Sequence, residues 1–185
     1  VTQKIRKTLG IREVAALLSK HLRERGLEAV LVGGACVSIY SSSEYESFDL
    51  DFVSYEDSKK IQSALEELGF HKTVGRHYDH PDSRYYAEFL SPPVSIGREH
   101  VSQFKHLKTP LGVIKMLTPL DCVKDRMAAY IHWGDRQSLK QAAMVARAHK
   151  VSPKKVLAWA TKEGNSVAVA ELEKEIHLQR KRTVQ

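Results

Sequence analysis

VLVGGACVSIYSSSEYESFDLDFVS, Val30 to Ser54, is the stretch whose reading decides the fold. It opens as the end of a short apolar run, residues 29–32, and breaks at Gly33-Gly34. A segment of small residues with the makings of a short helix follows. The stretch then enters a second run, residues 48–53, in which apolar and acidic side chains alternate. Residues two apart in a strand share a face. Asp49 and Asp51 are therefore expected to project together, with Phe48, Leu50 and Phe52 facing the other way into a core. At the usual strand rise the two aspartate Cα atoms lie about 6.5–7 Å apart. Two carboxylates on one face repel each other. A hard divalent cation such as Mg²⁺ would remove the conflict, because it prefers carboxylate oxygen.

Strand, Gly33-Gly34, short helix and acidic strand, in that order, resemble the signature of the polymerase-beta-like nucleotidyltransferase superfamily. Ser47 precedes the acidic strand, so SFDLDF is similar to that superfamily's S-x-D-x-D-x. The resemblance covers mainly residues 29–53, with weaker support to about Ala146. It implies a metal pair, Mg²⁺ or Mn²⁺, held by Asp49 and Asp51. It also implies a third carboxylate from a neighbouring strand, for which Glu88 in RYYAEFL is the candidate. The alternative for Glu88 is a salt-bridged or exposed glutamate on a sheet face. Gly33 and Gly34 would bring backbone N–H groups to the phosphates of a nucleoside triphosphate, and Ser47 would help orient them. The same glycines also suit a plain strand-to-helix turn with no ligand.

Composition sets bounds on this reading. The chain has 185 residues, 42% of them hydrophobic, enough for one domain or one domain with a helical appendage. No apolar run is long enough for a membrane span, and the first residues do not read as a secretion signal. The two cysteines, Cys36 and Cys122, form no C-x-x-C pair and read as buried free thiols of a cytoplasmic protein. A net charge of +7 favours an anionic partner, nucleotide phosphates or RNA. Denser basic spots lie at residues 4–7, 154–155 and 180–182, and solvated helix faces would explain each of them equally.

The chain in order reads as follows. Residues 11–25 follow helical spacing, with Gly26 as a stop. Residues 28–32 are a strand. Asp57 or Ser58 caps a helix to Leu68. Residues 70–74 and 84–90 are strands, paired as a hairpin that sets Glu88 beside the acidic strand, and residues 77–83 are a turn between them. Short strands follow at 101–106 and 112–117. Thr118 then caps a proline-started helix. Gly134 ends it, Asp135 opens a second helix to about Lys150, and two more follow, at 154–162 and from Asn165 or Ser166 to about Arg180. The fold class expected is α/β (α+β): a small mixed sheet core over residues 1–117 with helices on one side, and a helical bundle over 118–185.

The segment TPLDCVKDRMAAYIHWGDRQSL also resembles members of the superfamily, abortive-infection-type toxins and their uncharacterised bacterial relatives. That resemblance implies a basic residue on the triphosphate, at Lys124 or Arg126, and a structural or catalytic role for Asp135. Lys124 and Asp125 could equally be solvent-facing charges. Nine histidines invite a metal reading, densest at His77 and His80 with Asp79 and Asp82, but a polar turn is the default there. A phosphate loop, a nucleophile elbow and a third glycine for a dinucleotide fold are all absent from the sequence.

The function expected is metal-dependent transfer of a nucleoside monophosphate from a nucleoside triphosphate to an acceptor hydroxyl. The acceptor is left open between RNA, a protein and a small antibiotic-like molecule. The alternative is a non-catalytic module of the same fold that binds RNA, nucleotide or a protein partner, as in a toxin–antitoxin-like system. The oligomeric state is not legible.

Overall fold

The computed structural model describes residues 4–183. Val1 to Gln3 and the last two residues of the basic tail, Val184 and Gln185, lie outside it. The chain forms two compact units. The first takes in the described part of Val1–Cys36, with Glu46–Val94 and Phe104–Met116; the second takes in Val37–Tyr45, Ser95–Gln103 and the described part of Leu117–Gln185. The helical unit draws two short segments from the first half of the chain.

The first unit is built on a mixed sheet of seven strands. They are β1 (Val30–Leu31), β2 (Asp49–Val53), β3 (His71–Lys72), β4 (His77–Asp79), β5 (Tyr86–Leu90), β8 (Lys105–Thr109) and β9 (Gly112–Met116), in the spatial order β3-β4-β5-β2-β1-β9-β8. β6 (Ser95–Ile96) and β7 (Glu99–His100) make a separate small hairpin in the second unit. β2 runs parallel to β5 and antiparallel to β1, which runs parallel to β9.

Two helices of this unit line its core. α1 (Ile11–Glu24) puts Val14, Leu18 and Leu22 inward at helical spacing, and α3 (Ser58–Glu67) does the same with Ile61, Ala64 and Leu65. Asp57 caps α3 by accepting the N–H groups of Lys59 and Lys60 at 3.0 and 3.1 Å. Leu22, Leu27 and Ala64 form a buried cluster against which Ala29 and Phe89 pack. The helices therefore cover the sheet face that carries Phe89. Phe52, fully buried, stacks on Phe89 with ring centroids 5.5 Å apart. Truncating such an aromatic to alanine costs about 3–5 kcal/mol.

Several expectations need correction. β4 occupies part of the segment read as a turn, because Tyr78 is buried between the half-buried His77 and the exposed Asp79 and pairs with Ala87. It inserts between β3 and β5, so the hairpin partner of β5 is β4 and not residues 70–74. Phe48 does not enter the core. It precedes β2, is 48% exposed, and stacks on Tyr85 with the Arg84 guanidinium 5.6 Å from its ring centre. Residues 101–104 are not a strand; β8 begins at Lys105.

The second unit is helical: α4 (Pro119–Trp133), α5 (Arg136–Ala148), α6 (Pro153–Lys162) and α7 (Ala168–Thr183). Thr118 caps α4, accepting the N–H of Asp121 at 3.1 Å. Gly134 ends α4 at φ 67°, a left-handed conformation that glycine adopts without a Cβ penalty. Asp135 opens α5 at once, its carboxylate accepting the Gln137 N–H and the Ser138 hydroxyl at 2.9 and 2.6 Å. That bond to Ser138 is the main cause holding the Asp135 carboxyl below its usual range. Met127, Leu139, Val145, Val156, Trp159 and Leu172 are buried in this unit. Small segments close onto the helices: Trp159 donates its indole N–H to Ile96 O at 3.3 Å, and Tyr40 donates to Leu117 O at 2.5 Å. Among the described residues no helix is long and apolar enough to cross a membrane.

Buried imidazoles make the sheet unit acid-sensitive. The His21 ring nitrogen Nε2 meets Ala64 O at 2.8 Å, and burial, followed by the Arg25 charge, pushes its pKa down. Burial also lowers His80, which meets Leu68 O at 3.1 Å. In the unfolded chain these rings titrate near about 6.5. As pH falls below that value the unfolded state takes up protons first, so stability present above it is lost on acidification. Thermal unfolding followed between neutral and mildly acid pH should show the melting temperature falling. His21→Gln, whose amide can still donate to Ala64 O, should flatten that fall; an unchanged slope would remove His21 from this role.

Candidate active site

β2 and β5 decide the site. In their parallel register Asp49 stands opposite Tyr86, and Asp51 opposite Glu88. Cross-strand partners share a face, and so do residues two apart. Asp49, Asp51, Tyr86 and Glu88 therefore lie on one face. Leu50, Phe52 and Ala87 are fully buried on the other.

Local packing positions each acid. Ser47, buried just before β2, donates its hydroxyl to the Asp49 carboxylate Oδ1 in a short hydrogen bond. Its part is thus to orient Asp49. α2 (Gly33–Tyr40) reaches back over both glycines, which makes them its first turn rather than a loop before it. Val32 N–H still continues the sheet ladder to Asp51 O at 2.8 Å. Gly33 has φ +66°, and a Cβ built there would lie 2.6 Å from Asp51 Oδ2. The glycine is required on both counts. Its helix N-terminus sits against the Asp51 carboxylate, where unpaired N–H groups favour negative charge.

Glu88 is drawn the other way. Its carboxylate is 20% exposed and meets Arg76 Nε at 3.4 Å and His77 Nε2 at 3.3 Å. The salt-bridged alternative for Glu88 is what this conformation contains. His77 also stacks on Tyr86 with ring centroids 5.2 Å apart. Burial pushes the Tyr86 hydroxyl pKa up, and the charges of Asp49, Asp51, Glu88 and Asp79 add to it. Tyr86 thus feels the whole acidic face.

Among the described residues no group of three or more His, Cys, Asp or Glu side chains is arranged to hold a metal ion. That includes the turn around His77 and His80. The donor chemistry of Asp49 and Asp51 nonetheless fits a hard divalent cation, since both present carboxylate oxygen on one face. The missing Cβ of Gly33 leaves room beside Asp51 Oδ2.

Lys124 and Arg126 belong to the helical unit. Lys124 is not solvent-facing: it is 8% exposed and pairs with Glu99 at 2.6 Å and Asp121 at 3.7 Å. Arg126 pairs with its neighbour Asp125, its Nε donating at 3.0 Å. Both expected phosphate contacts thus carry carboxylate partners within their own unit. Asp135 is a helix cap. Cys36 and Cys122 are buried thiols, Cys36 donating to Leu31 O at 3.2 Å, and burial pushes the Cys122 thiol far up.

Sequence reading assigned no site role to Arg76 or Tyr86 and placed His77 in a polar turn. Tyr86 shares the face of Glu88 by simple alternation. Arg76 and His77 reach Glu88 only through the β4–β5 pairing.

Replacing Gly33 tests the close approach to Asp51. Gly33→Ala places a side chain in left-handed backbone, at a cost of about 1–2 kcal/mol, with the contact to Asp51 added. Urea denaturation should show that loss. Combining it with Asp51→Ala should recover only the part due to the contact. A neutral Gly33→Ala would contradict this geometry.

No family model matches the sequence, and no curated protein matches it. Solved structures do. An antigenic nucleotidyltransferase-like protein from Paracoccidioides brasiliensis superposes with a TM-score of 0.58 at 15% identity, over 80% of this chain and 78% of its own. ANT(2")-Ia in complex with adenylyl-2"-tobramycin gives 0.53 at 10% identity, over 89% of this chain and 97% of its own. The solution structure of antibiotic-resistance factor ANT(2'')-Ia gives 0.50 at 10% identity, over 94% and 92%. With a mixed sheet that carries two aspartates on one face beside a glycine-started helix, this chain has a nucleotidyltransferase fold.

Proposed function

We propose that the chain transfers a nucleoside monophosphate from a nucleoside triphosphate to an acceptor hydroxyl, releasing pyrophosphate. One observation carries this reading: Asp49, Asp51 and Glu88 share a sheet face, and the N-terminus of α2 lies against Asp51. The neighbour bound to adenylyl-2"-tobramycin supports the choice of transferred group.

Asp49 and Asp51 would hold Mg²⁺ or Mn²⁺. When bound, the cations neutralise the triphosphate and lower the pKa of the acceptor hydroxyl. The chain's own residues do the rest. Backbone N–H groups of Gly33 and Gly34 hold phosphate oxygens at the helix start. Ser47 keeps the Asp49 carboxylate in its rotamer. The acceptor oxygen bonds to the α-phosphorus as the bond to the bridging oxygen breaks, and pyrophosphate leaves with the electron pair. Glu88, beside Asp51, faces the acceptor and takes the hydroxyl proton after leaving Arg76 and His77.

A second reading has its own observation. Glu88 is ion-paired, and among the described residues no three acids are arranged to hold a metal ion. That arrangement suits a module that binds nucleotide without turnover.

Pyrophosphate release separates the two. The protein is incubated with each labelled nucleoside triphosphate, Mg²⁺ or Mn²⁺, and total cell RNA. The wild type should release pyrophosphate. Asp49→Asn/Asp51→Asn should lower the rate roughly a thousandfold or more, while its apo stability holds or rises because repulsion is relieved. A double variant at the wild-type rate would sink the site. Triphosphate binding with no release from the wild type would favour the binding module.

A further inference from the structure

The helical unit contains a cleft of about 360 Å³ that the transfer reading does not use. It opens where α5 ends, α6 begins and α7 runs past. Lys150, Ser152 and Pro153 line it from the α5–α6 connection, and Glu173, His177 and Arg180 from α7. Lys150 and Arg180, far apart in sequence, thus meet at one cleft. Lys154 and Lys155 follow Pro153 in the chain and Lys181 and Arg182 follow Arg180, all four exposed.

Among the described residues some cations of the protein are ion-paired and others, Lys59, Lys60, Lys105 and Lys108 among them, are not. Lys20, Lys115 and Lys174 each lie against a glutamate. Lys150, Lys154, Lys155, Arg180, Lys181 and Arg182 have no carboxylate partner among the described residues. Lys154 and Lys155 also stand at the wrong end of a helix. They occupy the first turn of α6, which has no acidic residue and whose N-cap Ser152 makes no side-chain cap bond. Positive side chains at a helix N-terminus oppose its dipole. A negative partner would relieve that conflict and the crowding of positive charge together.

With Lys150 and Arg180 on the cleft and exposed cations next in sequence to both lining segments, the arrangement suits several negative charges more than a single phosphate. The geometry points to a docking surface for the phosphodiester backbone of RNA, centred on Lys150 and Arg180. The choice of RNA among polyanions rests on the transfer reading, because RNA brings acceptor hydroxyls. The docking itself does not need the acidic face.

Binding of a labelled RNA hairpin to the full chain, without triphosphate or metal, tests this at salt concentrations from roughly 50 to 200 mM. The wild type should bind with a steep salt dependence. Lys150→Gln/Arg180→Gln should weaken binding about tenfold at low salt and reduce the log–log slope by about 1.4 to 1.8, two phosphate contacts' worth. Glu173→Gln removes the carboxylate lining the cleft and should tighten binding, an effect that misfolding cannot mimic. Lys59→Gln/Lys60→Gln, with the same charge loss on α3, should bind as the wild type does. Asp49→Asn/Asp51→Asn should keep the wild-type salt slope, so failure of transfer and failure of docking are read separately. Negligible RNA affinity at low salt overturns the proposal. So does an unchanged Lys150→Gln/Arg180→Gln variant, or an equal loss in the α3 variant, which would make the attraction one of net charge alone.

Discussion

The pleat of β2 is the constraint on which the sheet unit depends. Leu50 and Phe52 are fully buried on one side of it, and each such burial is worth about 1.5–3 kcal/mol. The same alternation forces Asp49 and Asp51 onto the other side together. Two charges about 7 Å apart repel by roughly 1–2 kcal/mol at intermediate dielectric. Burial outweighs repulsion, so the strand holds a pair of like charges that would not otherwise stay together. This places electrostatic strain on a rigid element, where it can serve a ligand.

The surroundings distribute that charge instead of cancelling it. Ser47 takes one oxygen of Asp49, and the start of α2 faces Asp51. Glu88, next in line, is held by Arg76 and His77. Asp51 faces a helix start and Asp49 a hydroxyl, while the glutamate keeps its own cations. Burial raises the pKa of Tyr86 on the same face, and the charges of all three acids add to it. A nucleotidyltransferase fold thus supplies the frame, and the identity of these few side chains decides what it can bind.

The helical unit treats charge differently. Lys124 is buried and would be costly alone; Glu99 and Asp121 compensate it. Glu163, whose side chain is 2% exposed, accepts the Arg98 N–H at 2.9 Å and meets His132 at 3.1 Å. Inner charges here have polar or oppositely charged partners beside them. At the α5–α6 connection and the end of α7 the cations make no ion pair among the described residues, and Lys150 and Arg180 line one cleft.

Local pattern determined much of this protein. Period-two alternation placed Asp49 and Asp51 on one face and Leu50 and Phe52 on the other. Helical spacing located α1, and cap chemistry at Asp57, Thr118, Gly134 and Asp135 set helix ends within a residue or two. These signals are local, since each needs only neighbours in the chain. Tertiary structure decided which strand lies beside β2, because pairing between distant segments leaves no trace in either one alone. It brought Glu88 next to Asp51 and, through β4, gave Glu88 the cations Arg76 and His77. It also turned Phe48 out to Arg84 and Tyr85, and buried Lys124 against Glu99, a residue 25 positions away. Whether a charged side chain meets solvent or a partner depends on the packing of distant segments, and only the folded chain settles that.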